Sequence, residues 1–180
     1  MKTIKTVFIG DISVGKTWLI ATYLTNETPS GYVSTVFDNF GTVGKYKDQE
    51  VLLSIFDTAG TSEWNKTNVI SYQQTDVFVV CFSVNNVTSF NNATRFLDRL
   101  KIYGVPVILC ATKTDLKDDR VIDGKVAQNV SEKFGCYDYV ETSAVEFSEI
   151  SKLFDTVLEA ALEPKEYRKT TCKNIFFCCK

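Results

Sequence analysis

The stretch "GDISVGKT", Gly10 to Thr17, decides how this chain is read. Its spacing is G-x-x-x-x-G-K-[ST]. It follows an apolar run, "IKTVFI" (Ile4 to Ile9), and opens a helical pattern, "KTWLIATYL". A strand, a glycine-containing turn and a helix in that order make a phosphate cradle, because the turn aims successive backbone N–H groups at one point. In such a cradle the amides of Ser13, Val14, Gly15, Lys16 and Thr17 surround phosphates, the Lys16 amine neutralises the outer ones, and the Thr17 hydroxyl ligates Mg2+. Ile12 stands out, since a branched side chain falls beside the phosphate that would be transferred.

Further runs that read as strands are "EVLLSIFD" (Glu50 to Asp57), "DVFVVCFS" (Asp76 to Ser83) and "VPVILCAT" (Val105 to Thr112). Their near-continuous apolarity suits strands covered on both faces, as in parallel sheets with crossover helices. "GKYKDQE" reads as a hairpin turn, which makes one strand antiparallel. "SFNNATRFLDRLKIYG" places Phe90, Phe96, Leu97 and Leu100 on one helix face, and "SEISKLFDTVLEAAL" does the same for Ile150, Leu153, Phe154, Val157, Leu158 and Ala161. The expected class is an α/β doubly wound fold.

The 180 residues suit one domain, with 44% hydrophobic and 23% charged residues. A net charge of -2 argues against a general nucleic-acid binder. No histidine occurs, which removes Ser/His/Asp triads and histidine metal sites. No apolar run reaches the ~18 residues of a membrane span, and no secretory signal pattern opens the chain, so a cytosolic protein is expected. Cys81 and Cys110 lie in strand-like runs and read as buried reduced thiols, with Cys136 a further structural thiol; Cys172, Cys178 and Cys179 crowd the last nine residues.

Two more signals stand at strand ends. In "DTAG" (Asp57 to Gly60), the aspartate is placed to hold Mg2+ through water and the Gly60 N–H to reach a terminal phosphate. In "ATKTD" (Ala111 to Asp115), the Asp115 carboxylate can accept from N1–H and the 2-amino group of guanine, a donor pair that adenine lacks. Alone, "TKTD" is a common polar turn; after the other two signals it points to guanine.

With these residues in view the chain resembles a Ras-superfamily small GTPase of the Rho/Rac family, from about Ile4 to Leu162. "YVSTVFDNF" (Tyr32 to Phe40) resembles the family's switch I and effector segment, "SYQQTDVFVVCFSV" (Ser71 to Val84) its Rho branch, "TKTDLKDD" its Rac-like members, and "ETSA" (Glu141 to Ala144) the loop at the guanine oxygen. The resemblance implies a six-stranded, mostly parallel sheet with five helices, a G domain over residues 1–164 and a flexible basic, cysteine-containing tail over 165–180. It implies GTP/GDP binding with Mg2+ on Thr17, Thr35 and, through water, Asp57. The nucleotide would further meet Trp18, Thr28, Tyr32, Gly60, Thr112, Lys113, Ser143 and Ala144. Lys16, Thr35, Gly60 and Thr61 fall at the catalytic positions, and Tyr32, Val36, Phe37, Asp38, Asn39 and Phe40 at the effector surface. Implied partners are effectors, exchange factors, activating proteins and dissociation inhibitors; the implied state is a monomer controlling actin organisation.

Four departures qualify the resemblance. Ile12 replaces a glycine and crowds both the attacking water and an activator's arginine, whose contribution is roughly 10^3 to 10^5 in rate. Thr61 replaces a water-orienting glutamine. Thr28 stands where the family sets a phenylalanine against the guanine, a loss of about 1 to 3 kcal/mol by analogy with base stacking. The first two predict slow hydrolysis and the third fast exchange, together a mostly GTP-loaded state. Fourth, the chain between Asp115 and Ser143 is about a dozen residues shorter than in the Rho family, leaving no room for its insert helix.

The end of the chain, "PKEYRKTTCKNIFFCCK", is basic and aromatic, and Phe177 to Lys180 do not form a C-a-a-X box. Its lysines and arginine with Phe176 and Phe177 suit anionic lipid, and Cys178 or Cys179 suit acylation, which would let the protein cycle between cytoplasm and the inner face of the plasma membrane. The alternative to a hydrolysing switch is a constitutively GTP-bound, non-hydrolysing interaction module. A small phosphotransferase would need a substrate lid in place of "DTAG" and "TKTD".

Overall fold

The computed structural model describes residues 1–28, 37–58 and 71–163, without the side chains of Phe37 and Asp38. Six strands form one sheet in the order β2-β3-β1-β4-β5-β6: β1 Lys2–Gly10, β2 Phe37–Tyr46, β3 Gln49–Thr58, β4 Val77–Ser83, β5 Val107–Thr112 and β6 Asp138–Glu141. Among the described residues only the β2/β3 pair is antiparallel, closed by the turn at Lys47 and Asp48 with Lys47 at φ 53°. Every other neighbouring pair is parallel. Four α-helices lie among the described residues, against the five implied: α1 Lys16–Thr25, α2 Val87–Leu100, α3 Gly124–Phe134 and α4 Phe147–Leu162.

β4 and β5 are buried along their whole length, because alternate side chains feed two separate cores. Val77, Val79 and Cys81 face a core built with Leu19 and Ile20 of α1 and Phe154 and Val157 of α4. Phe78, Val80 and Phe82 face a second core with Phe90, Phe96, Leu97 and Leu100 of α2. Helix α1 is locked to α4 by Tyr23 stacked on Phe154, ring centroids 3.6 Å apart. On α4 the fully buried alanine is Ala160 and not Ala161, which is only partly covered at the edge of the core.

β5 begins at Val107, two residues later than the apolar run, because Pro106 has no N–H to give the ladder; its carbonyl still accepts from Phe78 N at 3.0 Å. Cys81 and Cys110 are register partners on adjacent strands and are buried free thiols, while burial pushes the Cys136 thiol up to about 11. Between Lys113 and Asp123 there is no helix. That short connection is pinned by Arg120, whose guanidinium makes a two-pronged bond to Glu141 (3.0 and 2.5 Å) and whose Nε donates to Ile122 O at 2.8 Å. Gly124 leaves room beside it, since a Cβ there would lie 2.6 Å from Glu141 Oε1 and the glutamate carboxylate would have to shift.

Candidate functional site

Both ends of the site lie at the carboxyl edge of the parallel strands, where open α/β sheets present their ligand crevices. The phosphate loop leaves β1 at Gly10, where any Cβ would fall 2.4 Å from Cys81 O on β4. Only glycine lets the loop start so close to the neighbouring strand. Ser13 (φ 61°) and Gly15 (φ 103°) then take left-handed conformations that turn the chain into α1. Leu19 N donates to Gly15 O at 3.0 Å as the helix begins. Val14 is buried beneath the loop, whereas Ile12 projects from it, 65% exposed.

Lys16 is only 5% exposed, and its Nζ donates to Gly10 O and Asp11 O, both at 2.9 Å. Burial lowers the amine's pKa, and the nearby Cys81, Asp57 and Asp11 work against that shift. Asp57, at the end of β3, is 0% exposed, and Thr17 Oγ1 donates to its Oδ2 at 2.5 Å. Two hard oxygen donors side by side, one of them a buried carboxylate, match the ligand chemistry of Mg2+, so these residues fit that ion. Asp57 is itself anchored in register with Phe8 of β1, and the next residue's hydroxyl, on Thr58, donates to Phe8 O at 2.7 Å.

Sequence reasoning missed a support of this loop. Asn92, on the buried face of α2, donates from Nδ2 to Asp11 Oδ2 at 2.7 Å. The available signal was an amide among the apolar positions Phe90, Ala93 and Phe96, but its partner lies 81 residues away.

At the other end, Asp115 is exposed, and its Oδ1 accepts from Ser143 Oγ at 2.6 Å. Ser143 Oγ also accepts from Val145 N at 3.2 Å, fixing the turn after β6. Thr114 N donates to Thr142 O, and Thr142 N to Ala111 O, so the two loops are stitched together. Lys113 is held at φ 60°, an uncommon conformation for a residue with a Cβ. Thr112 is buried, and its hydroxyl lies within hydrogen-bonding distance of Val14 O (2.5 Å) and Phe82 O (3.0 Å), coupling this end to the phosphate loop. Thr22 and Thr28 each place a hydroxyl 3.4 Å from Ala144 O. Trp18 is half-buried on the first turn of α1.

The structure thus brings Ser13 to Trp18 and Asp57 to one end, and Thr28, Thr112, Lys113, Asp115, Ser143 and Ala144 to the other. Tyr32, Thr35, Val36, Gly60 and Thr61 lie outside the described residues. Phe37, Asp38, Asn39 and Phe40 open β2; Asn39 is exposed and accepts from Ser54 Oγ at 3.3 Å, and Phe40 is half-buried against the core. Compared with known families, residues 5–163 match the family model described as Ras family.

Proposed function

The chain belongs to the Ras family, whose members are small GTPases that bind guanine nucleotide with Mg2+ and work with effectors and regulators, and from that premise we propose a Rho-type switch that hydrolyses GTP slowly. The observation that carries the kinetic part is Ile12, a branched side chain left 65% exposed on the loop beside the transferable phosphate. Thr61 reinforces it, being too short to orient water as a glutamine does. The Rho assignment rests on "SYQQTDVFVVCFSV" and "TKTDLKDD".

In this reading the loop amides and Lys16 hold the phosphates, and Thr17, Thr35 and, through water, Asp57 would hold Mg2+, which would supply positive charge to the outer phosphate oxygens. Asp115 reads the guanine edge while Ser143 orients its carboxylate. Ile12 leaves binding intact and obstructs approach to the outer phosphate. Tyr32 to Phe40 engage effectors in the GTP state, with control of actin organisation downstream. Thr28 offers a hydroxyl where a ring would press on the base, so nucleotide exchanges faster than it would from a Thr28→Phe variant. The protein cycles between cytoplasm and the inner face of the plasma membrane through its basic, cysteine-containing end.

The test is single-turnover hydrolysis of preloaded radiolabelled GTP with Mg2+, following both bound label and free phosphate. Intact label should leave before phosphate forms, and Ile12→Gly with Thr61→Gln should raise the phosphate rate at least about tenfold. A wild-type rate equal to that of the double variant would overturn the slow-hydrolysis reading. Complete absence of phosphate would favour the non-hydrolysing module, which Ile12 also supports.

A further inference from the structure

The base end has no ring at position 28, yet α1 brings an aromatic side chain toward the same place. Trp18 is the third residue of α1, and Thr22 follows it by four, so the two project from one helix face, one turn apart. A turn is about 5.4 Å along the axis. Thr22 Oγ1 reaches Ala144 O at 3.4 Å, and Thr28 Oγ1 reaches the same oxygen at the same distance. The helix face that touches the base-end loop therefore carries Trp18 one turn nearer to Lys16 and Thr17.

A nucleotide with phosphates in the loop and its base edge at Asp115 must run its ribose and base between those two places, past this face. The other aromatic of α1, Tyr23, is committed elsewhere, stacked at 8° on Phe154. An indole on the first turn of a helix is half-buried where a small residue would satisfy the helix. A large rigid ring is the side chain that stacking on a sugar and base requires.

We propose that Trp18 forms the aromatic wall of the nucleoside part of the pocket, covering the guanine nucleoside in place of the ring missing at Thr28. This rests on the guanine-nucleotide reading above. Thr28 supplies the polar latch to Ala144 and Trp18 supplies the apolar cover. Release is then faster than with a ring at both places, and slower than with a ring at neither.

The experiment is release of a fluorescent GDP analogue from the full chain carrying wild-type Trp18, Trp18→Ala, Trp18→Leu, or Trp18→Ala with Thr28→Phe. Binding of inorganic triphosphate is measured in parallel as a probe of the phosphate end alone. Trp18→Ala should release the analogue about ten- to a hundredfold faster. Trp18→Leu keeps the apolar bulk on the helix without the ring and should behave like Trp18→Ala. Adding Thr28→Phe should recover most of the lost retention, and triphosphate affinity should stay within about twofold of wild type throughout.

Unchanged release from Trp18→Ala in a protein that binds GDP would overturn the proposal and leave the guanine reading standing. A parallel fall in triphosphate affinity would also overturn it, by making Trp18 a support of the loop. Wild-type protein that takes triphosphate but not GDP would instead overturn the guanine reading, and this proposal with it.

Discussion

The phosphate end and the base end of the site solve the same problem, holding polar groups in fixed positions, by different means. At the phosphate end the charged groups are buried: Lys16 is tied to two backbone carbonyls and Asp57 to the Thr17 hydroxyl, on a loop whose path depends on Gly10 and Gly15. At the base end Asp115 is exposed and is steered by a serine hydroxyl from another loop. Charge held in a buried site is worth far more per contact than charge steered in water. The first end should therefore supply most of the affinity and the second the discrimination.

The sharpest attempt to break that contrast is Lys16→Ala. If this buried ammonium bonds the phosphates as proposed, its removal should weaken GDP binding at least about a hundredfold, since charge-assisted bonds contribute about 1.5 to 3 kcal/mol each. Isothermal titration decides it, and a loss under about threefold would place the affinity elsewhere. Next comes Asp115→Asn, which exchanges an acceptor pair for an acceptor and a donor. GDP should weaken about ten- to a hundredfold while xanthosine diphosphate, with an oxygen in place of the 2-amino group, gains in competition. Unaltered preference would remove Asp115 from the base. Ser143→Ala probes the steering alone and should cost about 1 kcal/mol of GDP affinity, roughly fivefold. A larger loss than for Asp115→Asn would show that Ser143 acts through something other than that carboxylate.

The smallest effect concerns the short connection behind the base end. The hydrogen bonds from Arg120 hold the Glu141 carboxyl below its ordinary pKa, with partial burial opposing and Tyr139 helping. A depressed folded-state pKa gives stability that is complete above the unfolded value and is lost as pH falls through the folded one. Between neutral pH and the acid side of the ordinary glutamate range, wild type should lose more melting temperature than Glu141→Gln. The group is partly exposed, so the difference should correspond to less than about 1 kcal/mol. Equal acid sensitivity would show that this pair contributes nothing to the fold.

The two ends also differ in how openly the sequence declared them. "GDISVGKT" is contiguous, and its function depends on backbone geometry that glycine and lysine at fixed spacing announce. Asp57 and Asp115 were legible because one stands in the last two residues of an apolar strand and the other three residues past the end of one. Four of the six strands followed from their apolar runs, with the start of β5 displaced by Pro106; β2 was signalled only by the hairpin turn, and β6, four residues at the sheet edge, had no apolar run of its own. What could not be read were contacts between distant segments: Asn92 with Asp11, Arg120 with Glu141, and the turn of the Thr112 hydroxyl toward Val14. No local spacing encodes these, because each partner is chosen by how helices and strands pack. The exchange of Ala161 for Ala160 in the α4 core has the same origin, since a helical wheel does not say where the covered face ends.

The strand order carries a consequence for the chain as it leaves the ribosome. β1 comes first in sequence and sits third in the sheet, flanked by β3 and β4. Its ladder is incomplete until residues 77–83 have emerged, and the phosphate loop that departs from it gains its Cys81 neighbour only then. The rim around Ser143 and Ala144 appears some sixty residues later. Synthesis proceeds at about 5 to 20 residues per second. For several seconds, then, a nascent chain holds the completed strands on both sides of its phosphate loop and no base end at all, so nucleotide can be captured specifically only once Ser143 and Ala144 have emerged.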